Sequence, residues 1–274
     1  MTVRTLTKAL ERTLSPYDAR IILETLLSCS HTQLVLRCEE EVSDHIAETA
    51  FAMQKRRESG EPIQYITGVW RFFGREYLVG KGVLIPRDDT EVVVGESLKL
   101  IPTGQKLSVL DLCAGCGIIG ITIKKERPHT QVTAVEKSEE AFSYLQKNAE
   151  KNAADIRLIL SDLCDCRDEF EDGSLDLIVS NPPYIKRREL CSLQREVQFE
   201  PSLALDGGES GFDFYEKIIR LYAKKLKKGG FFAFEIGEDQ SERLSSLLKD
   251  AGFAKIRVFS DIQSLPRAVT ARKN

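Results

Sequence analysis

No stretch of this sequence stays apolar for long. The amino terminus, MTVRTLTKALERTLSPYDAR, carries charges throughout, so it reads as neither a secretion signal nor a membrane span; the chain is expected in the cytoplasm, with no membrane contact. An excess of one charge is also missing. Thirty-nine Lys+Arg stand against 42 Asp+Glu, a formal net charge of -3 with a pI near 5.8. No overall positive field exists to concentrate nucleic acid, and stable nucleic-acid binding is not expected. Histidine is scarce: His31, His45 and His129 stand singly, without the spacing of a metal site or a triad. The seven cysteines are odd in number and follow no export signal, so they read as reduced thiols. Of the close pairs, Cys113/Cys116 lies within a glycine-bearing turn and Cys164/Cys166 lacks the spacing of a zinc knuckle, so no metal is expected. Internal repeats and low-complexity tracts are absent.

What is present is an ordinary globular composition. The 274 residues are 42% hydrophobic and 30% charged, with a mean hydropathy of -0.23, enough chain for one large or two modest domains. Residues 1–72 read as helices, with apolar residues three and four apart and no strand alternation. Ser15-Pro16 supplies an N-cap and a first-turn proline before a stripe of Ala19, Ile22, Leu23, Leu26 and Leu27. Ser43 opens a helix bearing Ile46, Ala50 and Met53, expected to stop near Gly60 and Pro62. Residues 1–75 hold ten basic and ten acidic side chains, which makes this module a poor DNA clamp. Residues 69–90 are rich in aromatic and β-branched residues broken by glycines, the pattern of a hairpin connector. The expected organisation is a helical substrate-recognition domain over 1–72, a connector over 73–92 and an α/β domain over 93–274.

From Lys106 onward, short apolar runs alternate with amphipathic stretches, the rhythm of a parallel sheet wrapped by helices. Strands are expected at 107–112, 132–136, 156–160, 175–180, 231–236 and 253–259, with a last short one near 268–270. Two of their ends carry chemistry. VLDLCAGCGIIGITI passes from a buried strand through small residues into a helix, the place where an open α/β sheet binds a nucleotide-like ligand. The next strand ends at Glu136, placed to accept from both hydroxyls of a ribose. A glycine turn with a downstream acid also occurs in purely structural turns, so this pair alone decides little. Asn181-Pro182-Pro183-Tyr184 is sharper. It follows the strand LDLIVS and so shares the ligand's edge of the sheet. The prolines remove two N–H donors, leaving the Pro182 carbonyl and the Asn181 side-chain carbonyl as paired acceptors for one NH₂. Holding both hydrogens of a planar nitrogen tilts its electron density toward an electrophile, and Tyr184 can stack on the flat group that carries it.

These features resemble S-adenosylmethionine-dependent methyltransferases of planar nitrogens, acting on adenine, cytosine or glutamine amide. EPIQYITG (61–68), LIPRDDTE (84–91), VLDLCAGCG (109–117), IVSNPPYI (178–185), EPSLALDGGESGFDFY (200–215), EIGEDQ (235–240) and PRAV (266–269) resemble the bacterial peptide-chain release factor glutamine methyltransferase family, PrmC/HemK. That resemblance implies a Rossmann-like class I methyltransferase sheet behind a small all-helical domain. It further implies methyl transfer from S-adenosylmethionine to the glutamine amide of a Gly-Gly-Gln loop in release factors. By position, Cys113, Ala114, Gly115, Cys116 and Gly117 would surround the methionine part of the cofactor, Glu136 its ribose, and Asp162 and Leu163 its adenine. Asn181 would touch both cofactor and substrate, with Pro182, Pro183 and Tyr184 completing the glutamine pocket; Asn181, Pro182 and Tyr184 would carry the reaction. A monomer is expected. The competing readings are a nucleic-acid amino-methyltransferase using the same pocket and a non-catalytic translation-factor scaffold.

Three positions depart from the family pattern: Cys113-Ala114 replaces Gly-Thr, Asp88 replaces a proline, and Glu136 replaces a shorter aspartate. Cysteine at a position requiring positive φ would be strained. Arg87 is expected to brace the connector rather than meet the cofactor. Arg220, Lys224, Lys225, Lys227 and Lys228 are expected to close a helix as a solvated face.

Overall fold

The computed structural model describes residues Met1–Asn274. Five helices open the chain: α1 (Val3–Leu10), α2 (Pro16–Leu26), α3 (His31–Leu36), α4 (Asp44–Glu58) and α5 (Ile63–Thr67). Their starts are chemically marked. Ser15 accepts from the Asp18 N–H with Pro16 in the first turn, Ser30 and Gln33 form a reciprocal capping box, and Ser43 accepts from the Ile46 N–H. The apolar stripes meet in one cluster that includes Leu6, Leu10, Ala19, Ile22, Leu23, Ala50 and Met53. Helix α4 stops before Gly60, which sits at φ 96°.

The hairpin begins at Val69, where the 69–90 pattern starts, but is shorter than that stretch and precedes most of the 73–92 connector. Strands β1 (Val69–Phe72) and β2 (Arg75–Leu78) pair antiparallel, so strand structure does interrupt residues 1–72, and a division at 72/73 falls in the turn of the hairpin. Phe72 and Tyr77 pack with residues of the α/β half, not with the five helices. The aromatic side chains found a larger core to bury in, which decides where this hairpin belongs.

Helix α6 (Thr90–Leu100) leads into β3 (Ser108–Leu112), α7 (Ile118–Glu126), β4 (Gln131–Glu136), α8 (Glu139–Lys151), β5 (Arg157–Leu160) and β6 (Leu175–Ser180). Helix α9 (Asp213–Tyr222), β7 (Leu226–Glu235), α10 (Ser241–Asp250), β8 (Phe253–Ser260) and β9 (Pro266–Lys273) complete the chain. The sheet order is β5-β4-β3-β6-β7-β9-β8, parallel up to β7, with β9 antiparallel between β7 and β8. From β3 the chain runs outward through β4 to β5, then returns to place β6 on the other side of β3. That reversal puts the strand ends leading to Cys113 and Asn181 at a topological switch point, where open α/β sheets bind ligands.

Two details differ from expectation. The final strand spans eight residues, because its whole length is sandwiched between β7 and β8. The basic cluster does not close a helix: α9 ends at Tyr222, and β7 begins at Leu226 because Leu226 already pairs with Leu175. Lys225 and Lys227 pair with Asp172 and Asp176 at 2.9 and 2.7 Å, while Arg220, Lys224 and Lys228 stay exposed. No helix is long and apolar enough to cross a membrane.

Candidate active site

The turn after β3 is held from beneath. The Ala114 N–H donates to the Val135 carbonyl (3.0 Å), and the Gly117 N–H donates to the Ala114 carbonyl (2.8 Å). Cys113 has φ 59°, the left-handed region anticipated for this position. Glu136, at the end of β4, reaches across the turn. Its Oε2 accepts from the Gly115 N–H (2.7 Å), while Oε1 accepts from the N–H groups of Lys137 and Ser138 (2.8 Å each). A carboxylate offers about four lone-pair positions, so three backbone donors still leave acceptor capacity toward the cleft.

The cleft spans about 1130 Å³, its solvent-open mouth included, and is bounded by Cys113, Ala114, Gly115, Cys116, Glu136, Asp162, Leu163, Asn181 and Pro183. All the sequence-derived cofactor residues except Gly117 therefore reach its wall. Gly117 turns inward instead, where a Cβ would stand 2.4 Å from Leu145, and caps the start of α7. Asp162 sits at the far end. Burial raises its pKa, but the Lys137 ammonium at 2.8 Å and the Cys164 N–H outweigh that and hold it at about 2.

A second cavity, about 610 Å³, adjoins the first. Asn181, Leu84, Arg87 and Ala204 line both; Tyr184, Ile185 and Glu235 line only the second. Pro182, expected in the substrate pocket, is buried and lines neither cavity. The loop after β6 is fixed by distant segments. Gly207 donates to the Ile185 carbonyl (2.8 Å), Ile185 donates to the Leu205 carbonyl (3.0 Å), and Gln240 Nε2 donates to the carbonyls of Tyr184 and Gly211 at 3.0 and 3.1 Å. A Cβ on Gly207 would lie 2.6 Å from the Tyr184 Cα, so only glycine permits this approach. Burial pushes the Tyr184 phenol well above its usual pKa, keeping it neutral as a stacking surface.

Arg87 does brace, though not within the hairpin. Its guanidinium pairs with Glu200, a carboxylate whose other oxygen accepts from the Ile85 N–H (2.9 Å), tying residues 85–87 to the loop before α9. The sequence reading passed over several residues at the site: Thr90, Phe214, Lys217 and Glu235 on the cavity walls, and Glu200 behind Arg87. For Glu235 a signal existed, an acid ending the apolar run FFAFE, but its nearness to Asn181 depends on β6 and β7 pairing Ser180 with Phe234. The cysteines assemble nothing further: all seven are free thiols, and no three His, Cys, Asp or Glu side chains group as a metal site.

Comparison with known proteins agrees with this geometry. Residues 3–68 match the PrmC N-terminal domain, and residues 96–197 match the Methyltransferase small domain. The release factor glutamine methyltransferase of Koribacter versatilis (strain Ellin345) is 38% identical over 259 residues, covering 93% of this chain and 90% of that protein. That of Aquifex aeolicus (strain VF5) is 36% identical over 256 residues, covering 93% and 90%. The chain belongs to the release factor glutamine methyltransferase family. Among solved structures, a methyltransferase from Pyrococcus furiosus superposes with a TM-score of 0.54 at 22% identity, covering 74% of this chain and 91% of that one. A Thermus thermophilus 16S rRNA methyltransferase in complex with AdoMet and guanosine gives 0.52 at 20%, covering 75% and 50%. The fold is thus that of the class I methyltransferases, whose methyl donor is S-adenosylmethionine. The residues present fit that donor: nothing lies within 4 Å of where a Cβ on Gly115 would stand, so the turn's outer face is open to the cleft beside an acceptor-bearing Glu136.

Proposed function

We propose that this chain methylates the side-chain amide nitrogen of the glutamine in the Gly-Gly-Gln loop of release factors. Bound S-adenosylmethionine supplies an electrophilic methyl on a sulfonium. Cys113 to Cys116 would surround its methionine part, Glu136 would accept from its ribose, and Asp162 and Leu163 would flank its adenine. The observation that carries the reading is the position of Asn181 on the wall shared by the two cavities. From there its side-chain oxygen, with the Pro182 carbonyl, would accept both hydrogens of the amide and aim the nitrogen lone pair through the shared wall. Tyr184 would pack against the amide plane. Orientation of a weak nucleophile to within ~3–3.5 Å of the methyl carbon is the principal contribution of these residues.

We further propose that the five helices hold the release factor outside its loop, because one tripeptide offers too little surface for specific recognition. The enzyme would act as a cytoplasmic monomer without stable nucleic-acid binding; the near-neutral helical module and the paired Lys225 and Lys227 support the last of these. Mass spectrometry of release factor incubated with enzyme and S-adenosylmethionine should show one added methyl on the loop glutamine. Label appearing in DNA or RNA instead would favour the nucleic-acid reading, and absence of saturable S-adenosylmethionine binding in calorimetry would favour a scaffold.

A further inference from the structure

Glu235 is 2% exposed, and its Oε2 has no hydrogen-bond partner. An unpartnered buried carboxyl oxygen is destabilising, so the arrangement calls for a reason outside packing. Its surroundings supply one. Glu235 lines the second cavity with Asn181, the β6–β7 register sets the two strand ends side by side, and Thr90 and Asn181 both favour its charged form. Asn181 Nδ2 in turn lies 3.5 Å from Thr90 Oγ1. The two ends of an asparagine amide are nearly the same size, so the neighbours decide which end faces a ligand. Thr90 alone cannot decide, because a hydroxyl both donates and accepts. A carboxylate beside it can, since it has no proton to give.

We propose that Glu235 is a positioning residue: its carboxylate takes the hydrogen bond of the Thr90 hydroxyl, leaving the Thr90 oxygen to accept from Asn181 Nδ2 and turning Asn181 Oδ1 toward the substrate amide. The inference rests on Asn181 being the amide acceptor. Protonation of Glu235 would supply a competing donor to Thr90 and release the asparagine to either orientation. Burial raises the carboxyl to about 7, and Asp89 adds to this, while Thr90, Arg267 and Asn181 oppose it. The other charged or titratable groups around it are already engaged: Arg267 with Asp89 and Asp261, Arg87 with Glu200, and Tyr215, whose hydroxyl donates to the Glu235 main-chain carbonyl (2.7 Å); the phenols of Tyr184 and Tyr215 are both held well above their usual value. The turnover number is therefore expected to rise with pH through about 7, a step belonging to Glu235.

Steady-state methylation of release factor by the full chain, measured across about pH 6–9, tests this. Glu235→Gln should lower kcat at least about tenfold and lose the pH step, with KM for S-adenosylmethionine within about twofold of the parent. Its melting temperature should not fall, because a buried unpaired charge has been removed. Thr90→Val should reproduce the kcat loss and Thr90→Ser should restore it. An unchanged kcat and pH step in Glu235→Gln overturns the proposal; so does a kcat loss matched by lost melting temperature and lost cofactor affinity, which would mark a structural role. Asn181→Ala separates the two levels: if it still methylates, the reading of Asn181 itself fails, whatever Glu235 does.

Discussion

Cys113 occupies a backbone conformation, φ 59°, that costs an L-residue about 1–2 kcal/mol. Glycine would remove that strain, but it would also lose the side chain's packing against the buried cluster that includes Leu112 and Ile178 and gain unfolded-state freedom. The two effects oppose each other. Cys113→Gly is accordingly expected to shift stability by less than about 1 kcal/mol, whereas β-branched Cys113→Val should cost about 1–3 kcal/mol. Thermal melts check both, and calorimetry should find S-adenosylmethionine affinity kept in the glycine variant. At Asn181 the expected loss is catalytic instead. Asn181→Ala removes one of two oriented acceptors and should lower kcat by about 10²–10³-fold with little change in melting temperature. These residues were legible in the sequence because NPPY and the glycine turn are contiguous. Thr90 and Glu235 were not, being 91 and 54 positions from Asn181 along the chain, with only strand register to join them.

The elements around the site are tied by a few charged side chains, and the ties have different consequences. Arg57, on α4, donates to Asp18 on α2 and to Glu196 in the loop over the second cavity, at 3.0 Å each; Arg195 of the same loop donates to the Ser59 carbonyl. The helical module is thereby coupled to the loop that carries Leu193 and Val197 into the cavity wall. Arg57→Ala leaves the buried Asp18 without its cation. It should destabilise by about 1–3 kcal/mol and raise KM for release factor several-fold, leaving S-adenosylmethionine affinity unchanged in a direct binding titration. Arg87→Ala acts on the connector instead: burial already pushes the Glu200 carboxyl upward, and losing the guanidinium leaves it unpaired, at a cost of about 2–3 kcal/mol in a denaturant melt. The sequence patterns marked these segments as family-like blocks without saying which block meets which. The hairpin is a further instance: Asn148, buried on α8, donates to the Leu78 and Cys116 carbonyls and accepts from the Leu78 N–H, a latch that periodicity cannot express.

Over the whole molecule, buried carboxyls set an unusual pH response. Burial raises Asp111 from 3.8 and Glu235 from 4.5, each to about 7. A raised acid holds an extra proton in the folded state, so its stabilising contribution is complete below the unfolded pKa and is lost as pH rises through the folded one. Both therefore work against stability between about pH 4.5 and 7, by up to about 1.4 kcal/mol per pH unit per group. Asp162, held at about 2, has the opposite sign, its contribution being lost only as pH falls below 3.8. Melting temperatures recorded from about pH 5 to 7 should fall more steeply for the parent than for Glu235→Gln, since the amide cannot titrate. Parallel slopes would show that Glu235 does not carry the raised pKa.

The sequence by itself determined the elements and the kind of chemistry. Capping serines, apolar periods and the contiguous NPPY and glycine-turn motifs act within a few residues, so local spacing suffices to read them. Only the tertiary structure decided that Phe72 and Tyr77 bury against the sheet, that β9 runs full length between β7 and β8, and that an unpaired Glu235 stands beside Asn181. Burial and register depend on which distant surfaces exclude water together, and no local pattern encodes that.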